Sequence, residues 1–169
     1  MKYRLIYGVT LVEVMIVITI LAIVMTLGVS LAGSNKPVIE AKDTAKKLQQ
    51  TLDYARTKAV LNGEIISICP LTENNQCGKD WARGWLVFRN PQQSAQPTPQ
   101  QILRIMQGIP EHYLLELRAF ADQQLLSFFP GGYTGYQNGS FYYQSKLANI
   151  SWTLILNRAG RSRLSNQLH

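Results

Sequence analysis

Residues 8–32 read GVTLVEVMIVITILAIVMTLGVSLA, a run whose single formal charge lies on Glu13. As a helix, the 24 residues after the leading glycine are about 36 Å long at about 1.5 Å per residue, and a hydrocarbon core is about 30 Å thick. Lys2 and Arg4 precede the run and favour a cytoplasmic position for its N-terminal end. The stretch therefore predicts a transmembrane helix over residues 9–33.

Two residues of this stretch indicate more than an anchor. Gly8 stands directly before the apolar run, and Glu13 places a carboxylate inside it, where ionisable groups are costly and usually functional. The octapeptide at residues 8–15, GVTLVEVM, resembles the processing signal of type IV prepilins and pseudopilins. A plain membrane anchor is the alternative interpretation.

The prepilin resemblance implies a role for each of these residues. It implies a leader peptide at residues 1–8, which a prepilin peptidase cleaves after Gly8, and N-methylation of the new N-terminus at Val9, where most family members have phenylalanine. It also implies that Glu13 pairs with the N-terminal amine of a neighbouring subunit during filament assembly. Such a pair relieves the desolvation of both charges, whereas a misregistered neighbour leaves both unpaired.

A second helical pattern covers residues 34–62, with Pro37 marking a kink or a fresh start. Its apolar positions recur at alternating steps of four and three residues: Ala41, Ala45, Leu48, Leu52, Ala55 and Ala59. The stripe predicts the amphipathic half of a long helix, packed on a sheet and ending near Gly63.

Residues 63–169 show short apolar runs separated by turn-forming residues, which is typical of antiparallel β-structure. Seven strands are predicted, at Ile65 to Leu71, Gly84 to Arg89, Ile102 to Gln107, Leu114 to Phe120, Leu125 to Phe129, Ser140 to Tyr143 and Ile150 to Leu156. The predicted fold class is α+β, with a long N-terminal helix on a β-rich globular head that ends in a basic tail.

The two cysteines, Cys69 and Cys77, are separated by seven residues and have no histidine nearby, which argues against a metal site. In an exported head they can form a disulfide that contributes about 2 to 3 kcal/mol. Two buried free thiols are the alternative.

Three further segments resemble the GspH/FimT family of minor pilins and pseudopilins. They are WARGWLVF at residues 81–88, FPGG at residues 129–132 and GRSR at residues 160–163. Together with the leader and the helix, the resemblance covers nearly the whole chain. It implies the type IV pilin fold.

The charge distribution bears on which branch of the family this is. The chain has 17 Lys and Arg against 10 Asp and Glu, and the last acidic residue is Asp122. The charged side chains beyond it are Lys146, Arg158, Arg161 and Arg163. GRSR resembles the GRxR signature of the family's DNA-binding FimT minor pilins. An acid-free basic end suits a polyanion as partner.

The predicted DNA site consists of Gly160, Arg161 and Arg163, extended by Arg158 and Lys146. In an extended segment, side chains two residues apart lie on one side and about 6.8 Å from each other, so the arginines of GRSR can reach separate phosphates. Gly160 permits a positive φ or a close backbone approach to the ligand. Such contacts predict binding that is independent of base sequence and sensitive to salt.

Two other interpretations of this region stay open. Gly160 can be a turn residue, and the arginines can simply keep a terminal strand soluble. The aromatic residues Tyr133, Tyr136, Phe141, Tyr142 and Tyr143 can form stacking platforms for single strands or be ordinary core residues.

The sequence thus predicts a minor type IV pilin that binds extracellular DNA for natural transformation. The alternative is a minor pilin that primes pilus assembly without binding DNA, or an H-type pseudopilin of type II secretion. Expected partners are DNA, with a duplex favoured, other pilins, the prepilin peptidase and the inner membrane. The protein is expected as a single-pass inner-membrane protein with a periplasmic head, and on the cell surface after assembly.

Enzymatic function is not expected. The chain has two histidines, His112 and His169, and lacks both the GxxxxGK[ST] phosphate loop and the GxSxG elbow. No metal or other cofactor is predicted.

Overall fold

A computed structural model describes residues 8–34, 36–110, 113–119, 124–146 and 149–165. Residues 1–7 of the predicted leader, both histidines and the end of the basic tail lie outside the described residues. The chain divides into two compact units, Met1–Lys36 and Pro37–His169. The second unit is called the head below.

The first unit contains helix α1, Leu11–Ser34. Thr10 begins it, because its Oγ1 accepts a hydrogen bond from the Glu13 amide at 3.3 Å and its carbonyl accepts one from the Val14 amide at 3.2 Å. Thr10 and Glu13 thus have the spacing of a capping box. Within the part of the chain that the structure describes, no helix combines the length and apolar character needed to cross a membrane.

Helix α2, Lys36–Asn62, opens the head and carries the predicted apolar stripe. All six residues of the stripe are buried, which confirms the prediction. Thr44 and Thr51 lie on the same face, and each hydroxyl donates to a carbonyl one turn earlier at 2.8 Å. The helix ends as predicted, with Gly63 at φ +64°.

The rest of the head is antiparallel β-structure, which confirms the predicted fold class. The described residues contain eight strands: β1 (Ile66–Pro70), β2 (Gly84–Arg89), β3 (Ile102–Gln107), β4 (Tyr113–Ala119), β5 (Leu126–Phe128), β6 (Gly139–Ser145), β7 (Ser151–Leu156) and β8 (Ser162–Ser165). They form two four-stranded sheets, ordered β3-β2-β1-β5 and β4-β6-β7-β8. All seven predicted strands are found, and β8 within the basic segment adds an eighth.

Both sheets contribute side chains to the core beside α2. Trp85 of β2 donates its indole N–H to Thr51 Oγ1 at 3.1 Å, and Trp152 of β7 donates to the Ala41 carbonyl at 2.9 Å. In β7, Trp152, Leu154 and Leu156 are buried at alternate positions. The core residues all come from position 41 onward, so the head contains its own hydrophobic core.

A disulfide joins Cys69 and Cys77, in agreement with the prediction, with Cα atoms 5.4 Å apart. The Gln96 side chain accepts from the Cys77 amide at 2.7 Å and donates to the Cys77 carbonyl at 3.2 Å. The disulfide loop is thereby held to the proline-rich loop that precedes β3.

Candidate nucleic-acid interface

The GRSR segment begins in a tight turn between β7 and β8. Asn157 Oδ1 accepts a hydrogen bond from the Arg161 amide at 3.0 Å, and the Asn157 carbonyl accepts one from the Gly160 amide at 3.0 Å. Gly160 has φ +70°, a conformation that side chains with a Cβ rarely adopt. The positive φ predicted for this glycine is therefore present.

Gly160 is buried and lies against Gly132 of the FPGG segment. A Cβ added at Gly160 would lie 2.2 Å from the Gly132 carbonyl oxygen, far inside van der Waals contact. The same carbonyl accepts a hydrogen bond from Arg56 Nε of α2 at 2.9 Å. The backbone that Gly160 approaches closely thus belongs to the protein, and Gly160 shapes the turn, while its predicted role in contacting DNA stays a prediction.

Arg158, Arg161 and Arg163 are all exposed around this turn. Arg161 directly precedes β8 and Arg163 lies inside it, opposite Ile155 of β7. Side chains two apart on an extended strand point the same way, about 6.8 Å apart. None of these three arginines forms an ion pair with another described residue. We refer to Arg158, Arg161 and Arg163 as the arginine patch.

Lys146 does not adjoin the arginine patch, so the structure does not bring it together with the other predicted DNA-binding residues, and its own contact with DNA stays a prediction. It follows β6 at the end where Gln144 pairs with Ser151, whereas the patch lies at the end where Gly139 pairs with Leu156. From Gly139 to Gln144 the strand advances about 17 Å at about 3.4 Å per residue. Lys146 instead lines a groove of about 640 Å³ whose other charged residues are Glu73, Asp80 and Arg83.

The predicted aromatic cluster separates into two groups. Phe141 and Tyr143 are buried, in agreement with the interpretation of these aromatics as ordinary core residues. The Arg118 guanidinium lies over the Tyr142 ring, 4.5 Å from the ring centre. Tyr133 and Tyr136, by contrast, are 48% and 78% exposed.

The two exposed tyrosines border a groove of about 690 Å³ next to the arginine patch. The Arg158 guanidinium lies 6.0 Å from the Tyr136 ring centre, and Tyr133 stacks on Phe129 with ring centres 5.3 Å apart. The lining residues are Gln93, Leu125, Ser127, Phe129, Tyr133, Thr134, Gly135, Tyr136, Gln137 and Arg158. An aromatic run rich in glycine is a partial signal for this groove in the sequence, but no sequence pattern indicates that Arg158 lines it.

The predicted processing and assembly residues lie at the start of the first unit. Gly8 and Val9 precede α1, and Glu13 occupies its first turn with an exposed side chain. Their roles in cleavage, methylation and subunit pairing stay predictions. Among the described residues, no cluster of three or more His, Cys, Asp or Glu could hold a metal.

Comparisons with known proteins agree with this architecture. The family model described as type II transport protein GspH matches residues 44–160, and the prokaryotic N-terminal methylation motif matches residues 4–29. Among curated proteins, none is similar enough in sequence to count as a match.

Solved structures that share the fold include those of a minor pilin and a minor pseudopilin. The type IV minor pilin FimU of Pseudomonas aeruginosa is 21% identical, with a TM-score of 0.60 over 77% of this chain and 91% of that chain. The minor pseudopilin EpsH from the type 2 secretion system of Vibrio cholerae is 16% identical, with a TM-score of 0.55 over 75% of this chain and 96% of that chain. Because the family model covers most of the head and the methylation motif covers residues 4–29 at the start of the chain, this chain belongs to the GspH family of minor type IV pilins and pseudopilins.

Proposed function

We propose that this protein is a minor type IV pilin whose head binds extracellular DNA, independently of base sequence, for uptake in natural transformation. The observation that carries the proposal is the arginine patch, three exposed guanidinium groups around one turn. Their charges are not neutralised by any ion pair within the described residues. Guanidinium groups donate hydrogen bonds in a fixed fork that matches phosphate oxygens, so the patch suits a phosphate backbone.

The N-terminal segment supports the pilin part of the proposal. The methylation motif spans Gly8, Val9 and Glu13, which fits cleavage and methylation by a prepilin peptidase and assembly with other pilins. The protein would be held at the inner membrane before assembly, with the head in the periplasm, and would reach the cell surface in the pilus. The disulfide between Cys69 and Cys77 suits such an oxidising compartment.

A second candidate function is that of an H-type pseudopilin in type II secretion. It is favoured by the family model, which is described as a type II transport protein, and it gives the arginine patch no role in DNA binding. The function of a minor pilin that only primes pilus assembly likewise gives the arginine patch no role in DNA binding. Measurement of DNA binding by the head therefore separates the proposal from both.

The test is an electrophoretic mobility shift assay with the head from Pro37 onward and unrelated DNA duplexes. Each arginine that contacts a phosphate contributes a slope of about 0.9 to the logarithmic salt dependence, so with three contacts the affinity should fall roughly 40-fold between about 50 and 200 mM salt. For the Arg161→Gln, Arg163→Gln double variant, the same change in salt should cost roughly 3.5-fold.

The matched control is the Arg104→Gln, Lys146→Gln double variant, which removes the same charge from two exposed sites outside the arginine patch. It should bind like the wild type. If both double variants lose affinity equally, binding reflects net charge and the assigned site is wrong. If the wild-type head binds neither duplex nor single-stranded DNA at low salt, the DNA function is wrong and the secretion or assembly function takes its place.

A further inference from the structure

We propose that the groove bordered by Tyr133, Tyr136 and Arg158 accepts an unpaired nucleobase, so that the head holds single-stranded DNA by a base as well as by its phosphates. This inference rests on the proposed DNA function of the neighbouring arginine patch. It adds a second class of contact, base stacking, and a preference for strands whose bases are free.

The groove offers aromatic surface where a soluble domain seldom exposes it. Tyr136 is 78% exposed on a turn, and the Arg158 guanidinium lies near its ring. Tyr133 has one ring face on Phe129, nearly parallel at 11°, and is 48% exposed. Aromatic rings with a cation beside them are the elements of stacking sites for single-stranded nucleic acids, because every base has a π-face and every linkage a negative charge.

The turn that carries Tyr136 is held rigidly by hydrogen bonds. The Thr134 hydroxyl donates to the Gln137 carbonyl at 2.7 Å, and the Thr134 amide donates to the Arg158 carbonyl at 3.0 Å. Gln137 is fixed in turn, since its side chain accepts from the Ser127 amide at 2.8 Å and donates to the Leu125 carbonyl at 2.9 Å. A preformed platform loses little conformational entropy when a ligand binds.

The chemistry of the lining indicates what kind of occupant fits. Among the described residues that line the groove, Arg158 is the one charged residue and none is a carboxylate, so this lining complements an anion with a planar apolar part. The second groove, with Glu73 and Asp80 beside Arg83 and Lys146, lacks this complementarity. The Gln137 amide already exchanges hydrogen bonds with the Ser127 amide and the Leu125 carbonyl, which turn this side chain toward the backbone. Because every base has a π-face, we expect stacking in the groove to tolerate all four bases.

The test compares three ligands by fluorescence anisotropy with the head from Pro37 onward, which contains its own core. They are a twelve-nucleotide thymidine strand, an abasic strand of the same length and charge, and a twelve-base-pair duplex. The wild type should bind the thymidine strand about 5- to 150-fold more tightly than the abasic strand, the range expected for stacking of one base. Tyr136→Ala should abolish this difference, and Tyr136→Phe, which keeps the ring, should retain it.

The outcomes separate the two proposals. If the wild type binds thymidine and abasic strands equally, or if Tyr136→Ala keeps the difference, the groove does not bind a base and this inference is overturned. Duplex binding that Arg161→Gln, Arg163→Gln removes would then still support the DNA function alone. If the wild type binds none of the three ligands, both proposals are overturned. Tyr136 is largely exposed, so an unchanged thermal unfolding curve should verify that its variants fold.

Discussion

Replacement of Gly160 by alanine tests the contact between the GRSR and FPGG segments. At Gly160, φ is +70°, and an added Cβ would lie 2.2 Å from the Gly132 carbonyl oxygen. To reach ordinary contact the two segments must move apart by about 1 Å, since buried C···O contacts rarely fall below about 3.3 Å. Such a movement strains the Arg56 hydrogen bond to the same oxygen.

The expected loss of stability has two parts. A residue with a Cβ in the left-handed conformation costs about 1 to 2 kcal/mol, and overpacking a close contact costs about 1 to 3 kcal/mol more. Gly160→Ala should therefore lower the free energy of unfolding by about 2 to 5 kcal/mol. Gly63→Ala is the matched control, because Gly63 has a similar φ of +64° but open space around its Cβ position. It should lose the conformational part alone, about 1 to 2 kcal/mol.

The assay is urea unfolding of the head, followed by tryptophan fluorescence, for the wild type and both variants. The difference between the two variants isolates the cost of the contact, because the effect of alanine on the unfolded chain is similar at both sites. A loss at Gly160 no greater than that at Gly63 would refute the close packing of the two segments. If Gly160→Ala does not fold whereas Gly63→Ala does, the loss at Gly160 exceeds that at Gly63, as the close packing of the two segments requires.

Two further outcomes concern the core and the disulfide. Burial raises the pKa of Tyr143, and a hydrogen bond to Glu40 raises that of Tyr113, so both phenols stay protonated when those of the unfolded chain ionise. The contribution of these two tyrosines to stability should therefore be constant below about pH 10, and urea unfolding should show a decline above it that is weaker in Tyr143→Phe. Because the Tyr143 hydroxyl has no hydrogen-bond partner within the described residues, that variant should be no less stable than the wild type at pH 7, and a clear loss would contradict this assignment. Reduction of the Cys69–Cys77 disulfide should cost about 2.5 kcal/mol of unfolding free energy, and a Cys69→Ala, Cys77→Ala variant should show no further loss on reduction.

Local sequence patterns predicted most of the secondary structure. The stripe on α2 was recognisable because helical spacing places its six residues on one face, and all of them are buried. The bounds of β2 and β3 were predicted without error, since turn-forming residues flank both. β8 was harder to recognise, because its residues Ser162–Ser165 lack the apolar alternation of a half-buried strand.

The position of Lys146 shows what such patterns cannot supply. Lys146 and Arg158 are twelve positions apart, and their shared charge suggested one site. The β6–β7 hairpin separates them, because the chain must travel the length of a strand between the two ends of the sheet. Neighbourhood along a sequence becomes neighbourhood in space only when the pairing register is known.

The structure explains the glycine of GRSR but not its arginines. Gly160 fills a position where a Cβ would meet the Gly132 carbonyl, so the turn requires it whatever the protein binds. The Arg161 amide closes the turn onto Asn157, but any residue except proline supplies that group. The guanidinium groups of Arg161 and Arg163 make no ion pair among the described residues. Because both side chains are exposed, glutamine in their place should leave stability nearly unchanged. A loss of DNA binding by that variant can then be attributed to the removed guanidinium groups.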